Sequence, residues 1–449
     1  MRTPRRSQVP LSVPESHHPR AKELAAVNRF LEANPELAGM VAADLGGHPG
    51  ASTEVGRPGL TGDQVLRAAV VRVLEECSYE DLEFHLGDSR SYRWFCQLGW
   101  GEEAPSASTL QENIRRVKPE TWIGINAALV RQAVALGVET GRKVRIDCTV
   151  TESNIHPPDD SAQLYDVVRV LVRLLRRAER MREGVTVHGR TKRAKRRRLE
   201  AMNAKNADER KPAYRDLVRV TREVIGWATD AVARLRDGAS AGDKASALAT
   251  ELSRYAELGE VIADLVCRRV FDGEKVPASE KIVSAFEPHT DVIVKDRRQV
   301  LYGHKLLLAT GASGMVIHCD VLDGNPADST LVGQALDGVT KALGQVPKQA
   351  ALDGGFASRE GLALARAKGV EDICFSKRRG MEIAEMAKST WVYRKLWRFR
   401  AGVEANISLL KRCFGLDRSR WKGRDGFHAY VQSGVAAFNL LLVGRLAEA

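Results

Sequence analysis

Lys143–Thr151 reads KVRIDCTVT, and its alternation decides the fold. Val144, Ile146, Cys148 and Val150 fall on one side, Arg145, Asp147 and Thr149 on the other, which is the period of a strand. The strand carries an acid at its middle. A carboxylate inside an apolar strand is costly unless it is paired or holds a metal, so Asp147 needs a partner. An ion pair with Arg145, or an edge position facing water, would serve as well as a cation.

Upstream, Leu60 to Val138 has helical spacing: Val65, Ala68 and Ala69, then Leu110, Ile114 and Val117. The segment PSASTLQENIRRVKPETW, with Ser108 as N-cap, carries Arg115 and Arg116 on a short helix. Such a helix is either the reading helix of a helix-turn-helix on DNA or a surface helix with a solvated basic face. Downstream of Asp160 the apolar positions again recur at helix spacing. They run Leu164, Val168, Leu171, Leu175; Leu217, Val220, Val224, Trp227; and Leu248, Leu252, Tyr255, Ile262. Three long amphipathic helices are expected there. GASAGDK at 238–244 is a turn between the last two, and its glycine spacing does not fit a phosphate-binding loop, so no nucleotide is expected.

Strand texture returns with DVIVKD at 291, VLYGHKLLLAT at 300 and MVIHCDVL at 315, broken so as to suit antiparallel neighbours. A helix over 329–342, a strand QAALD ending at Asp353, a helix over 359–368 and a strand DICFS at 372–376 follow. One helix around 391–413 and another around 426–446 close the chain. A group of strands, then helix, strand, helix, strand, helix, with a helical insert after the first strand, is the order of an α/β ribonuclease-H-like core. The domains expected are a mostly disordered basic tail with a short helix over 1–55 and a helical DNA-binding domain over 56–140. The catalytic core takes 141–160 plus 291–449, and a helical insertion takes 161–290.

Two further acids stand where that fold can bring them to Asp147. In ALDGGFASREG, Asp353 ends a buried strand and two glycines after it leave room for a phosphate or metal, although Asp-Gly is also a common turn. In RFRAGVEANISLLKRCF, Val403, Ile407, Leu410 and Phe414 form the packing stripe, and Arg400, Glu404, Ser408 and Lys411 form the other. That second stripe either holds a metal beside DNA phosphates or is a row of surface ion pairs. Breaking and rejoining phosphodiesters needs an activated oxygen nucleophile and a neutralised leaving oxygen. Two hard divalent cations about 3.5–4 Å apart, Mg²⁺ or Mn²⁺, supply both.

Composition agrees with a polyanionic partner. The chain has 449 residues, 69 Lys and Arg against 57 Asp and Glu, and a formal charge of +12. RTKRAKRRR at 190–198, with Arg196, Arg197 and Arg198 at its end, reads as a mobile loop that tracks the DNA backbone. Seven scattered cysteines without a CxxC pair argue against a disulfide framework or zinc knuckle, and the ten histidines show no ligand spacing. The basic N-terminus lacks a following apolar stretch, and the most apolar segment, AAFNLLLV at 436–443, is too short to span a bilayer. A cytoplasmic, nucleoid-associated location without a membrane is expected.

The blocks RIDCTVTESNIHPPDDSAQLYD, SAFEPHTDVIVK, YGHKLLL, DGNPADSTLV, ALDGGFAS and RAGVEANISLLKRCFGLDRSRWKG resemble, in order, those of bacterial insertion-sequence transposases with a DDE catalytic domain. The ISNCY-like group is the nearest in kind. LTGDQVLRAAVVRVLEECSYEDLEFHLGDS is similar to their N-terminal helical domain. The resemblance implies Asp147, Asp353 and Glu404 as the three metal-binding acids. It also implies double-stranded DNA, both terminal inverted repeats and target, as the partner, and a dimer or larger assembly on it. Many relatives carry Tyr-x2-Arg-x3-Glu-x6-Lys around the last acid. Here Arg400, Glu404 and Lys411 fit, and Trp397 stands at the tyrosine position, where it could stack on a base. The competing readings are a catalytically inactive or repurposed transposase that only binds DNA, and a host nuclease of similar fold. Intact acids count against the first, and the helical front domain and insert against the second.

Overall fold

The structure, a computed structural model, describes residues 3–5, 17–46, 59–99, 101–182, 184–185, 187–237, 243–295 and 299–446. Two compact units divide the chain: Met1–Asn154 with His304–Ala449, and Ile155–Gly303.

The first unit opens with helices α1 (Pro19–Ala33), α2 (Glu36–Gly46), α3 (Gly62–Leu74), α4 (Tyr79–Asp88), α5 (Arg90–Phe95), α6 (Ala107–Arg116) and α7 (Pro119–Ala135), then strand β1 (Lys143–Ser153). The second unit contributes α8 (Asp160–Met181), α9 (Thr191–Asn203), α10 (Ala207–Arg236), α11 (Asp243–Val270) and strand β2 (Asp291–Lys295). Strand β3 (Gln299–Thr310) pairs with β2 through its first residues, Asp291 opposite Gly303. Back in the first unit come β4 (Val316–Val321), α12 (Val332–Leu343), β5 (Gln349–Leu352), α13 (Arg359–Ala367), β6 (Asp372–Phe375) and α14 (Ile383–Met386). The chain ends with α15 (Thr390–Arg400), α16 (Gly402–Cys413), β7 (Arg418–Ser419) and α17 (Arg424–Leu446).

The sheet is mixed. β1 lies between β3 and β5, β5 beside β6, and β4 pairs antiparallel with β3, Leu306 opposite Val321. β1 and β5 run parallel with Ile146 opposite Leu352, as do β5 and β6. Parallel strands are buried on both faces. Accordingly Val144 and Ile146 on one face of β1, and Arg145 and Thr151 on the other, are all buried.

Helix α17 is apolar nearly all round, the mark of a helix enclosed by its neighbours rather than laid on a surface. It is the one described helix long and apolar enough to cross a membrane, and 83% of that apolar window is buried inside the protein. It packs on α7, α1, α3 and β4. Its buried polar residues clamp the sheet edge. Asn439 accepts from the Val316 N–H (2.9 Å) and donates to the Val316 carbonyl (2.7 Å), while Gln432 donates to the Cys319 carbonyl (2.8 Å). These bonds satisfy β4 backbone groups that would otherwise be buried and unpaired.

Several expectations are corrected. Within 1–55, residues 19–46 form two helices rather than a short one, with Leu24, Val27, Leu31, Leu37, Val41 and Leu45 buried at helix spacing. Most of the remainder of that tail lies outside the described residues, as does most of the 238–244 turn. The front helices do not stand apart: they and the sheet share one hydrophobic core. The basic run at 190–198, expected as a mobile loop, forms most of α9, because carboxylates on α10 hold it. Arg193 and Arg197 both bond Asp216, and Arg190 pairs with Glu223 (2.6 Å). The single helix expected over 391–413 is two, α15 and α16. The cap of α6 is Ser106 rather than Ser108, and residues 96–106 separate it from α5, so no tight helix-turn-helix turn precedes it.

A buried ion pair anchors α3. Arg67, fully buried, bonds Asp63 (2.9 Å), the Asn28 amide oxygen (2.5 Å) and the Phe95 carbonyl (2.9 Å). Arg67→Leu would leave the buried Asp63 charge with only Arg5, 3.9 Å away, and should destabilise the protein by about 3–5 kcal/mol. Urea unfolding followed by circular dichroism reads this, and a loss of less than about 1 kcal/mol would mean that water reaches Asp63.

Candidate active site

Three sequence-nominated acids converge on one guanidinium. Arg400, the last residue of α15, places Nη1 3.3 Å from Asp353 Oδ1 and 4.0 Å from Asp147 Oδ2, and Nη2 3.1 Å from Glu404 Oε1. Its side chain is only 16% exposed, so this cation is shielded and its attraction to the acids is weakly screened. Asp147 comes from the middle of β1, Asp353 from the residue after β5, and Glu404 from the first turn of α16. Parallel pairing of β1 with β5 is what sets the two aspartates side by side.

Their surroundings differ. Burial pushes the Asp147 carboxyl up to about 6, and neighbouring Asp353 adds to the rise against the opposing Cys148 N–H (2.8 Å) and Arg400. Burial acts on Asp353 in the same direction, but the N–H groups of Gly354 and Gly355, the Ser376 hydroxyl (2.9 Å) and Arg400 outweigh it and hold Asp353 below its ordinary value. Glu404 is largely exposed. Among the described residues, no three His, Cys, Asp or Glu side chains stand close enough together to hold a metal. The donors themselves are all carboxylate oxygens, the chemistry a hard divalent cation takes.

Arg145 does not pair with Asp147. It donates to the Thr310 hydroxyl (3.0 Å) and the Phe399 carbonyl (3.2 Å), and its guanidinium stacks on the Phe399 ring. This also separates α15 from α16. A side chain on Gly402 would meet that guanidinium, so glycine leaves room for Arg145 just after the turn at Ala401. The turn presents Arg400 and Glu404 to the two aspartates.

Sequence reasoning missed two residues at this edge. Lys305 on β3 is buried, donating to the Pro326 carbonyl (2.7 Å) and pairing with Asp328 (2.5 Å). Asp328 acts electrostatically on Asp147 and hydrogen-bonds Cys148, so it is a fourth acid in the neighbourhood. A lysine within the apolar run YGHKLLL was the available signal, for the reason that singled out Asp147. The glycines after Asp353 also serve otherwise than expected. A Cβ on Gly354 would meet Lys377 and one on Gly355 would meet Asp328, so protein side chains take the space.

The remaining nominated residues lie apart from the acids. Trp397 is half exposed on α15. Lys411, two turns beyond Glu404, is 3.9 Å from Asp417 and lines a groove of about 610 Å³ with Arg72, Arg412, Arg418 and Arg420. On α6, Arg115 donates to the Lys422 carbonyl (3.4 Å) and Arg116 pairs with Glu112 (2.6 Å). In the other unit, Arg196 is exposed, 3.7 Å from Glu200, Arg197 is held by Asp216 and Glu200, and Arg198 stacks on Tyr165.

Carboxylates gathered on a mixed sheet, with a cationic groove on the same helix, are the equipment of an enzyme that works on nucleic-acid phosphates. Residues 13–116 match the family described as Transposase domain (DUF772), and residues 267–440 match the family described as Transposase DDE domain. The chain belongs to the DDE transposases of insertion sequences, enzymes of metal-dependent DNA cleavage and strand transfer. Asp353 and Glu404 fall inside the DDE match, while Asp147 falls between the two matched stretches. No curated protein and no solved structure matches the chain.

If the Arg400 guanidinium offsets repulsion among the acids, removing it should expose them to an added cation. Arg400→Ala should melt lower than the parent in metal-free buffer and gain more than the parent on adding Mn²⁺, as followed by differential scanning fluorimetry. An equal metal-induced gain in both proteins would show that the guanidinium does not compete for the carboxylates.

Proposed function

We propose that Asp147, Asp353 and Glu404 are the metal-binding acids of a ribonuclease-H-like catalytic core that cuts and joins DNA at the ends of an insertion sequence of the ISNCY-like group. The observation that carries this is their shared contact with Arg400, since residues so distant in sequence meet at one cation. Two divalent ions, Mg²⁺ or Mn²⁺, bound there would supply an activated oxygen nucleophile and neutralise the leaving oxygen.

The chain's own residues supply the rest. Asp353, kept ionised by its N–H and hydroxyl donors, is the standing negative charge of the site. Buried Asp147, raised to about 6, holds its proton more readily than Asp353, and a bound cation would favour its ionised form. Glu404, exposed on α16, faces solvent where DNA would arrive. Arg400, which closes α15, and Lys411, in the last turn of α16, suit scissile-strand phosphates, and Trp397 offers an indole face to an unpaired base. Arg115, Arg116 and the Arg196–Arg198 segment are proposed as outlying backbone contacts. The functional form is a dimer or larger assembly holding two terminal inverted repeats, working in the bacterial cytoplasm.

Asp→Asn and Glu→Gln keep side-chain size while removing the charge that holds a cation. Asp147→Asn, Asp353→Asn and Glu404→Gln should each bind the element's ends as the parent does in gel shifts and lose strand cleavage in Mg²⁺ by about 10³-fold or more. Cleavage surviving in one variant would remove that acid from the site. A parent that binds its ends without cutting them would favour a repurposed DNA-binding protein.

A further inference from the structure

The helical unit sorts its cations into two kinds. On α9, α10 and α11 about half are paired with carboxylates. Asp216 takes Arg193, Arg197 and Arg219, Glu223 takes Arg190, Arg222 bonds Glu260 and Asp264, and Arg268 bonds Glu274 and Glu280. Asp216 is held far below the ordinary carboxylate range, by its bond to Arg193 first. The most conspicuous basic run in the sequence is thus partly spent inside the unit.

Helix α8 is built differently. Leu164, Val168, Leu171, Leu175 and Ala178 are fully buried; the charged side chains at exposed positions are Arg169, Arg173, Arg176, Arg180 and Arg177, which pairs with Glu251, and one acid, Glu179, which accepts from the Val187 N–H (3.3 Å). At spacings of four, three and four residues, the first four form a single stripe along the helix. Arg169 pairs with Asp166 (2.9 Å), while Arg173, Arg176 and Arg180 have no acidic partner among the described residues. The row lines a groove of about 550 Å³ together with Arg177, Thr191 and the partly exposed Phe286. Arg169 stacks on that ring, 5.5 Å from its centre.

We propose that the arginine row of α8 is a binding surface for the phosphate backbone of duplex DNA, holding it without reading its sequence. A solvated face is normally mixed in sign or internally paired, as the faces of α10 and α11 are. Three neighbouring arginines without counter-charges repel one another, and a polyanion relieves that repulsion. At 1.5 Å per residue the row is about 16 Å long, roughly half a turn of duplex DNA. Arginine's planar fork bonds a phosphate through two N–H groups at once. The inference rests on DNA as the substrate of this chain and is independent of which acids hold the metals.

The test uses full-length Asp353→Asn protein, so that cutting does not interfere, and fluorescence anisotropy with short duplexes of the element's end and of unrelated sequence over a series of KCl concentrations. The combined change Arg173→Gln, Arg176→Gln and Arg180→Gln should weaken both duplexes alike, by about tenfold or more. It should also flatten the log-affinity against log-salt slope by about two to three, because each phosphate contact contributes about 0.9. The corresponding Arg→Lys protein should keep most of the slope, which guards against a misfolded Gln variant. Arg222→Gln with Arg268→Gln, on the ion-paired faces, should leave the slope unchanged. An unaltered slope in the Gln protein, a loss confined to the element's end, or an equal loss in the ion-paired control would each overturn the proposal. Since every arm reads binding in a cleavage-deficient background, such a result would leave the acid assignment standing.

Discussion

Like charges brought together on a sheet must be offset, and the site follows from how this chain does it. β1 and β5 run parallel, so Asp147 and Asp353 stand beside each other where water is partly excluded. In such surroundings carboxylates repel more strongly than in bulk solvent. One guanidinium, Arg400, answers Asp147, Asp353 and Glu404 together. Its position depends on a second arginine. Arg145 takes the Phe399 carbonyl and occupies the space where a side chain on Gly402 would lie, and the resulting turn sets Arg400 over the aspartates with Glu404 just beyond. The two arginines therefore divide the work, one shaping the helix break and the other neutralising the acids that the break exposes.

The same principle, applied in reverse, organises the helical unit. Carboxylates on α10 collect arginines from α9 and fix that helix in place. α8 leaves most of its arginine row without counter-charge. A chain with a net charge of +12 has more cations than it can pair, and where it leaves the surplus is informative. In this unit one helix face, beside an aromatic ring, gathers three arginines without an acidic partner among the described residues into a single row, while part of the densest basic run is ion-paired.

What was legible in the sequence was what local periodicity encodes. Alternation marked β1, and apolar runs closed by glycine marked β3, β5 and β6, since each strand's pattern is contained in its own residues. Asp147, Asp353 and Glu404 each had an ordinary local explanation, and it was the resemblance of their blocks to those of DDE transposases that nominated them together. Features that depend on a distant partner were not legible. The α15–α16 break depends on Arg145, far back in the chain, and the helical state of the 190–198 run depends on Asp216 and Glu223. Lys305 and Asp328 meet only after β3 is in place. The α8 arginines were legible in principle, since their spacing is helical, but the denser basic run drew attention from them. Helices α1 and α2 were overshadowed in the same way by the basic stretch before them.

The place of the helical unit in the chain has its own logic. The chain leaves the sheet after β1 and returns through β3, a direct neighbour of β1, with Ile155–Gly303 as the connection. Closing a loop costs entropy only as the logarithm of its length, so a long connection between adjacent strands is little worse than a short one. The insert adds a core of its own, built from α8, α10 and α11, which supports it without drawing on the core around the sheet. β1 carries Asp147, so the excursion begins within a few residues of the candidate site. An insertion at that point leaves uninterrupted the pairing of β1 with β5 that aligns the two aspartates.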